Sequence, residues 1–537
     1  MAQTVTEQVE IQPSLESSPL DYEERIQQLD FQVNETKNIF LLSLLPKPQY
    51  VLYFLGVLIC LGGFIYGLNV SLISGALLFL KTDMQLDTPQ ESLVSSGMSL
   101  GGIGGAIVAI PFNEYFGRKY SILIACLFYT VGAILEAASH SYGQMVAGRV
   151  VLGMGVALGT MTIPIYASEC FPKNKRGAIV SLYTVMIMFG ILSGYIVSAI
   201  FIHVAGTWRF ILGSSLVFSS FLMMGVLFIP ESPRWLMRKG QISKAYIVWK
   251  GLRGMDKSEE REEFFIMEKV CQSEKQVSSG RWILLDLYRI PYCRKACIHG
   301  VLLMFFQQFS GTNSILYFLG SMYRKAGLSI HDSIYISMIG GGSLFLSSIP
   351  AIYLVDSYGR RPLLLILTPG IIVGLMFIGF AFLSHSTDSL VAVYTIGVVL
   401  FYIFWGSSLG PVPFVMNAEL YPNYLRTYGM SLGILSNFLG NWITSYAFLE
   451  MTRAMTKTGT FVGFYGGITA LGWFYFLFMI PETKNLSLEE IKGILDRPWK
   501  DIVYQNLHQG IGMRLHHMIS CLGKPSTSQQ SSHHVSM

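Results

Sequence analysis

Apolar residues in this chain run in long blocks and do not alternate with polar ones. Twelve such blocks fall at roughly 51–80, 92–112, 121–139, 144–165, 177–203 and 208–229, then 296–322, 332–355, 362–384, 388–416, 428–449 and 459–480. About 20 mostly apolar residues carry a helix across a bilayer. Only helices and closed barrels satisfy the backbone in lipid. Barrel strands would repeat with a period of two, which these blocks lack. The pattern therefore predicts an all-α integral membrane protein with twelve transmembrane helices. A polar stretch splits the blocks into two sets of six. The predicted organisation is a tail at 1–49, a six-helix bundle at 50–229, a central loop with amphipathic helices at 230–295, a second six-helix bundle at 296–480 and a largely disordered tail at 481–537.

Composition agrees. Of 537 residues, 52% are hydrophobic and 13% charged, against about 25% charged in soluble domains. The formal charge of +5 is spread in short clusters between apolar blocks, so the expected partner is the lipid bilayer and not nucleic acid. The seven cysteines have no zinc or disulfide spacing. With no nucleotide-binding glycine loop and no nucleophile–base arrangement, neither an enzyme, a cofactor nor a metal is expected. The first 49 residues lack the charged start and short apolar core of a cleavable secretory signal. The tail "GKPSTSQQSSHHVSM" is low-complexity, and its histidines read as solvated.

Basic residues set the expected orientation. Arg118, Lys119, Lys173, Lys175, Arg176, Arg360, Arg361 and Arg426 share one side with the basic central loop, which makes that side and both termini cytoplasmic. The plasma membrane is the expected host.

Polar clusters repeat at matching places. "SECFPKNKR" (Ser168–Arg176) follows block four and "NAELYPNYLR" (Asn417–Arg426) follows block ten. "FGRK" (Phe116–Lys119) pairs with "YGRR" (Tyr358–Arg361), and "PESPR" (Pro230–Arg234) with "PETKN" (Pro481–Asn485). This is an internal duplication, and it predicts two bundles related by pseudo-symmetry. Carriers built this way bind substrate near the midplane between halves that rock. Glu169, Glu231, Glu419 and Glu482 supply acceptors, and Arg118, Arg176, Arg360 and Arg426 supply donors. Pairs of these across the seam would form a cytoplasmic gate, closed when the inner side is closed. The plainer reading is topology anchoring.

The motifs "GRVVLGMGVALGT", "IPIYASE", "RGAIVSLY", "PESPRWL", "QQFSGTNSILYF", "DSYGRRPLL", "GPVPFVMNAELYP" and "PETKN" resemble those of the sugar porters of the major facilitator superfamily. That family includes facilitative hexose carriers and proton–myo-inositol cotransporters. The resemblance covers about 50–490 and implies the major facilitator fold. The wording of "SGALLFLK" and "TMTIPIYASE" looks most like the inositol branch.

The resemblance implies substrate-binding positions. Gln307, Gln308 and Asn313 in block seven match residues that bond sugar hydroxyls. Their amides both donate and accept, as a polyol requires, and Gly311 between them permits a local helix break. The plainer reading is glue between helices. Tyr317 and Phe318 match an aromatic pair that covers the site from outside. Asn437 and Asn441 are further polar positions on one face of block eleven. Phe414 and Phe438 stand where many relatives have Trp, Thr184 where hexose carriers have Gln, and Gly406 where mammalian glucose carriers have Glu.

Asn69 stands where proton-coupled relatives have an Asp, thought to partner the Arg that matches Arg149. An amide has no usable proton equilibrium near neutrality. Glu136, near the outer end of block three, reads as remote from that position, so Arg149 is expected to bond backbone carbonyls or Asn69. Facilitated diffusion is the resulting expectation. The sequence thus implies alternating-access transport of a hexose or a myo-inositol-like cyclic polyol. The alternatives are a carrier of another small metabolite, a proton-coupled symporter and a non-transporting sugar sensor. Sensors in this family carry very long cytoplasmic tails, which this chain lacks.

Overall fold

Helix starts are written in the local sequence. Helix α1 (Pro48–Asp83) opens on a proline, whose missing N–H costs nothing there. Helix α2 (Thr88–Tyr115) opens on a capping box in which Asp87 accepts from Gln90 N at 2.9 Å and Gln90 returns the bond. Helix α4 (Tyr142–Cys170) is capped by Ser141, α13 (Ile330–Tyr358) by Ser329 and α15 (Thr387–Ser407) by Ser386. Helices α3 (Arg118–Ala137), α5 (Lys173–Ile200) and α6 (Thr207–Phe228) complete the first set of six.

The computed structural model describes residues 25–31, 47–255, 258–278, 283–422, 424–486 and 488–510. The C-terminal tail beyond 510 and most of the N-terminal tail lie outside them. Between the two sets stand α7 (Pro233–Arg238), α8 (Ile242–Arg253), α9 (Ser258–Ser278) and α10 (Ile283–Arg289). The second set comprises α11 (Pro291–Phe309) with α12 (Thr312–Lys325), then α13, α14 (Arg360–Ala381), α15 with α16 (Val412–Glu419), α17 (Arg426–Ala454) and α18 (Thr456–Phe478). Two short helices follow, α19 (Leu488–Asp496) and α20 (Trp499–Gly510). Among the described residues ten helical spans are long and apolar enough to cross a membrane. The other two of the twelve are the broken α11–α12 and the more polar α17.

Small residues let these helices touch backbone to backbone, the usual packing device where lipid removes the hydrophobic drive. A Cβ on Gly67 of α1 would sit 1.8 Å from the Ile187 carbonyl oxygen of α5. A Cβ on Gly153 of α4 would sit 1.9 Å from that of Met98 in α2. Between the two sets, α17 lies on α2, α13 on α5, and α12 on α1.

One end of the bundle, the charged end, carries the Arg and Glu clusters; the other is the far end. Toward the far end hydrogen bonds join the two sets. Tyr195 donates to the Leu316 carbonyl at 2.9 Å, Gly320 N donates to Ser74 Oγ at 3.3 Å, and Arg453 bonds Thr88. Nearer the middle, Phe189 packs on Phe345 with ring centroids 5.3 Å apart. Residues 25–31 and the central helices hold to the first set: Arg25 pairs with Glu268 at 2.7 Å, and Arg253 Nη2 donates to the Phe171 carbonyl at 2.5 Å. The C-terminal helices hold to the second: Arg361 donates to the Asn506 carbonyl at 3.1 Å, and Lys295 to that of Leu495 at 2.8 Å.

Span seven breaks where glycine allows it. Gly311 has φ +86°, the left-handed region, which costs a side-chain-bearing residue roughly 1–2 kcal/mol. A Cβ there would also meet the Tyr465 ring at 2.8 Å. Gly311→Ala should therefore lower the thermal unfolding temperature in detergent and the yield of folded protein. An unchanged melting curve would show that the break tolerates a side chain.

Candidate functional site

A broken helix in lipid leaves carbonyls without partners, and each orphan buried in the membrane costs several kcal/mol. Span ten breaks beside span seven, between Ser407 and Val412. The two breaks satisfy each other. Gln307 Nε2 donates to the carbonyls of Leu409 at 2.7 Å and Gly410 at 3.0 Å. Tyr402 donates to the Thr312 carbonyl at 3.2 Å, and Trp405 Nε1 to Ser310 Oγ at 3.1 Å. Gly406 belongs to the same fit: a Cβ there would fall 2.1 Å from Ser347 Oγ.

The candidate substrate residues meet at this junction. Gln307 Oε1 accepts from Asn437 Nδ2 at 2.5 Å and from Gln308 Nε2 at 3.4 Å. Both donors and both acceptor positions of Gln307 are thus used, which makes it a positioning residue. Gln308 Oε1 accepts from Asn313 Nδ2 at 2.7 Å, a contact that the Gly311 break makes possible. Asn441 Nδ2 donates to the Tyr317 hydroxyl at 3.4 Å, and that hydroxyl also lies 3.4 Å from Ser99 Oγ of the first set. Gln308, Asn313, Asn437 and Asn441 retain bonding capacity and form the part of the cluster able to take ligand hydroxyls.

Other candidates lie elsewhere. Phe318 is fully buried and stacked on Phe448, centroids 5.1 Å apart; consecutive helical residues point about 100° apart, so it does not share Tyr317's direction. Phe438 packs over Gly102 of α2, where a Cβ would meet its ring at 2.4 Å. Thr184 bonds its own helix at Val180 and is partly exposed, and Phe414 is exposed. Ser99 and Trp405 are members of the network that no motif marked, and Ser310 lies within the quoted "QQFSGTNSILYF" without having been singled out. The run "FWGSSLGP" carried the signal in its glycines and proline, which mark a break.

The charged end corrects one expectation. Glu169 and Glu419 bond within their own halves and not across the seam. Arg118 Nε and Nη2 donate to Glu169 at 2.9 and 2.8 Å, and Ser232 Oγ donates to it at 2.5 Å. In the second half Arg360 Nη2 donates to Glu419 at 2.7 Å and Thr483 Oγ1 at 2.6 Å. Glu231 accepts from Arg118 N at 2.8 Å, capping α3; Glu482 accepts from Arg360 N at 3.1 Å, capping α14. Burial pushes the Glu231 carboxyl above the usual carboxylate range, against the pull of its three backbone N–H donors. Arg176 and Arg426 are not the partners of Glu169 and Glu419 at bonding distance. They approach each other and Arg234 at the seam, and Arg234 is bonded to Glu274 at 2.6 Å. The physical reason is local: Pro172 and Pro422 end their helices, so the chain turns away before Arg176 and Arg426 are reached.

A second correction concerns Arg149. It is fully buried, and its Nη1 lies 3.7 Å from Glu136 Oε1, also fully buried. Its Nε donates to the Val94 carbonyl at 3.3 Å. Asn69 donates to the Ile65 carbonyl of its own helix at 2.8 Å. Glu136 reaches Arg149 because Gly148 lets α4 ride against α3, with a would-be Cβ 2.9 Å from Glu136 N.

This geometry, two pseudo-symmetric six-helix sets with a polar junction between broken helices, defines a multi-pass membrane protein of the major facilitator fold. The family model described as "Sugar (and other) transporter" matches residues 55–495, and the chain belongs to that family. It is 42% identical over 468 residues to a myo-inositol transporter of Gibberella moniliformis, covering 86% of this chain and 81% of that one. It is 31% identical to myo-inositol transporter 1 of Saccharomyces cerevisiae, covering 81% and 77%. A glucose transporter of Staphylococcus epidermidis is 33% identical, covering 83% and 96%. Among solved structures, a proton:xylose symporter bound to 6-bromo-6-deoxy-D-glucose superposes with a TM-score of 0.71 at 24% identity, covering 83% of this chain and all of that one.

The two charged clusters differ in burial, and that sets their worth. Arg118 and Glu169 are 5% and 6% exposed; Arg360 and Glu419 are 12% and 27%. Breaking a buried pair costs about 3–5 kcal/mol, whereas a partly exposed one contributes about 0–1 kcal/mol. Glu169→Gln should therefore lower the unfolding temperature in detergent far more than Glu419→Gln. Equal losses would contradict this ranking.

Proposed function

We propose that this protein carries a cyclic polyol of the myo-inositol class across a membrane by alternating access. The observation that carries the reading is the junction of spans seven, ten and eleven, where four buried or half-buried carboxamides keep donors and acceptors free. A polyol ring presents hydroxyls on every edge, each donor and acceptor at once, and such a set of amides matches it. The names of the Gibberella and Saccharomyces relatives support the polyol over the hexose. A hexose is the second reading, favoured by the glucose transporter among the relatives and by the same hydroxyl chemistry.

The charged end is taken as cytoplasmic, with both termini on that side and the plasma membrane as host; the concentration of Lys and Arg there supports this. Glu169 and Glu419, each bonded inside its own half, make the base of each half a rigid unit. The inner gate is then the seam between the units, where Arg426 stands near Arg176 and Arg234 and where Glu274 is paired with Arg234. Crowded like charges favour separation, and approach of Glu274 offsets them, so the central loop biases the two-state equilibrium.

Counterflow of labelled myo-inositol in proteoliposomes tests the substrate, with hexoses and inositol isomers as competitors. Gln308→Ala should raise the apparent half-saturation about tenfold, the effect of losing one buried hydrogen bond to ligand. Gln307→Ala should instead lower folded yield, because it exposes two backbone carbonyls. Unchanged kinetics in Gln308→Ala would remove Gln308 from the site.

A further inference from the structure

The loss of the acid at position 69 does not remove carboxylates from the transport path. Glu136 and Arg149 are both fully buried, in helices that meet at Gly148. Their closest approach, 3.7 Å, is an ion pair without a hydrogen bond. Neither Glu136 oxygen, and neither terminal nitrogen of Arg149, has a hydrogen-bond partner among the described residues. A pair built only for stability would be closed by such bonds, as Arg118–Glu169 is. Taking such a pair out of water is costly, and a single long contact offsets little of that cost.

The surroundings leave this pair electrically isolated. From α4 the charge that faces Glu136 is Arg149. From α6, Arg209 spends its guanidinium on the carbonyls of Ala137 and Ser139 at 2.9 and 2.7 Å. Neighbouring Trp208 bonds Asp83 at 2.7 Å. From α2, Glu91 is paired with Lys81 at 2.5 Å, and Val94 offers its carbonyl to Arg149.

The pair also touches the moving parts. Arg149 lies against Gly97 of α2, where a Cβ would meet its side chain at 3.0 Å. The Tyr317 hydroxyl lies 3.4 Å from Ser99 Oγ, two residues beyond Gly97 on α2. Tyr317 sits on α12, the helix that closes the far end by bonding α1 and α5 through Gly320 and Leu316, and its hydroxyl receives Asn441 from the polyol cluster.

We propose that Glu136 is the proton-coupling carboxylate of this carrier and that Arg149 is its switch, so that transport is proton symport and not facilitated diffusion. A proton from the outer phase adds to a Glu136 carboxylate oxygen and gives a neutral acid. Arg149 is then released from the pair and is free to act on Tyr317 and the closure of α12. After the substrate leaves toward the cytoplasm the same proton departs to that side, and the ion pair re-forms. One proton moves per cycle, and no other reactant is consumed.

This inference rests on the polyol-carrier reading and its orientation. The test uses the full chain in proteoliposomes with labelled myo-inositol. With an inside-alkaline gradient of one pH unit the wild type should accumulate substrate toward a limit of about tenfold for one proton per substrate, and an ionophore should abolish that accumulation. Addition of substrate to the wild type should also make the outer medium alkaline. Glu136→Gln should equilibrate substrate without accumulating it while still performing counterflow, and Glu136→Asp should restore part of the accumulation. A purely structural ion pair would lower yield without separating accumulation from counterflow. Gradient-driven accumulation in Glu136→Gln, or a wild type that shows counterflow but neither accumulation nor alkalinisation, overturns the proposal. If Glu136→Gln does not fold, the medium pH of the wild type and the Asp variant decide. Absence of counterflow in the wild type overturns the substrate reading, and this one with it.

Discussion

A helix interrupted inside a membrane must find partners for its freed backbone groups within the protein, because lipid offers none. That constraint organises the centre of this molecule. Spans seven and ten are both interrupted, at Gly311 and between Ser407 and Val412, and each supplies side chains to the other's exposed carbonyls. Gln307 and Tyr402 are held to this duty by bonds of 2.7 to 3.2 Å, and Trp405 joins the two breaks through the Ser310 hydroxyl at 3.1 Å. The amides next to them inherit fixed positions from that stitching. Preorganisation of this kind lowers the protein's own ordering cost on binding a many-hydroxyl ligand. The site is thus a by-product of closing two backbone breaks.

The same economy governs movement. Each half carries an identical base: an arginine at a helix start, a carboxylate at the end of the fourth span of its set, a hydroxyl and a capping glutamate. Arg118, Glu169, Ser232 and Glu231 repeat as Arg360, Glu419, Thr483 and Glu482. Because these bonds stay inside their half, rocking need not break them. What changes between states must then lie at the seam: the ring and hydroxyl contacts toward the far end, and the arginine cluster at the charged end.

Much of this was legible in the chain. Long apolar blocks announced twelve spans, the six matched polar clusters announced the duplication, and Gly311 announced a break that brings Gln308 to Asn313. What failed was partner assignment. Periodicity tells which face a residue occupies but not which helix meets that face. So Glu169 was paired in expectation with the seam, whereas a proline turn after Cys170 leaves it facing Arg118. Thr184, Phe318 and Phe414 were matched by position in a motif, and their directions depend on helix rotation that no spacing encodes. Gln307 and Gln308 are chemically identical, and only the breaks decide that one serves backbone and the other remains available.

Arg149 shows how a physical requirement outlasts a motif. A guanidinium without exposure cannot stay unpaired in a membrane, since removing its counter-charge costs far more than any hydrogen bond to a carbonyl returns. Once position 69 holds an amide, the chain must provide a carboxylate from another helix or lose the arginine. Glu136, with its carbonyl bonded by Ser139 N at 3.2 Å and its side chain turned toward α4, meets that need. Its place at the end of an apolar block made it look peripheral. Burial depends on what packs around a helix end as much as on sequence position, and here α4 and α6 cover it. An intramembrane acid whose carboxyl has no hydrogen-bond partner among the described residues and that faces one cation is the arrangement in which a proton changes most, so the proposed coupling chemistry lies on span three and not on span one.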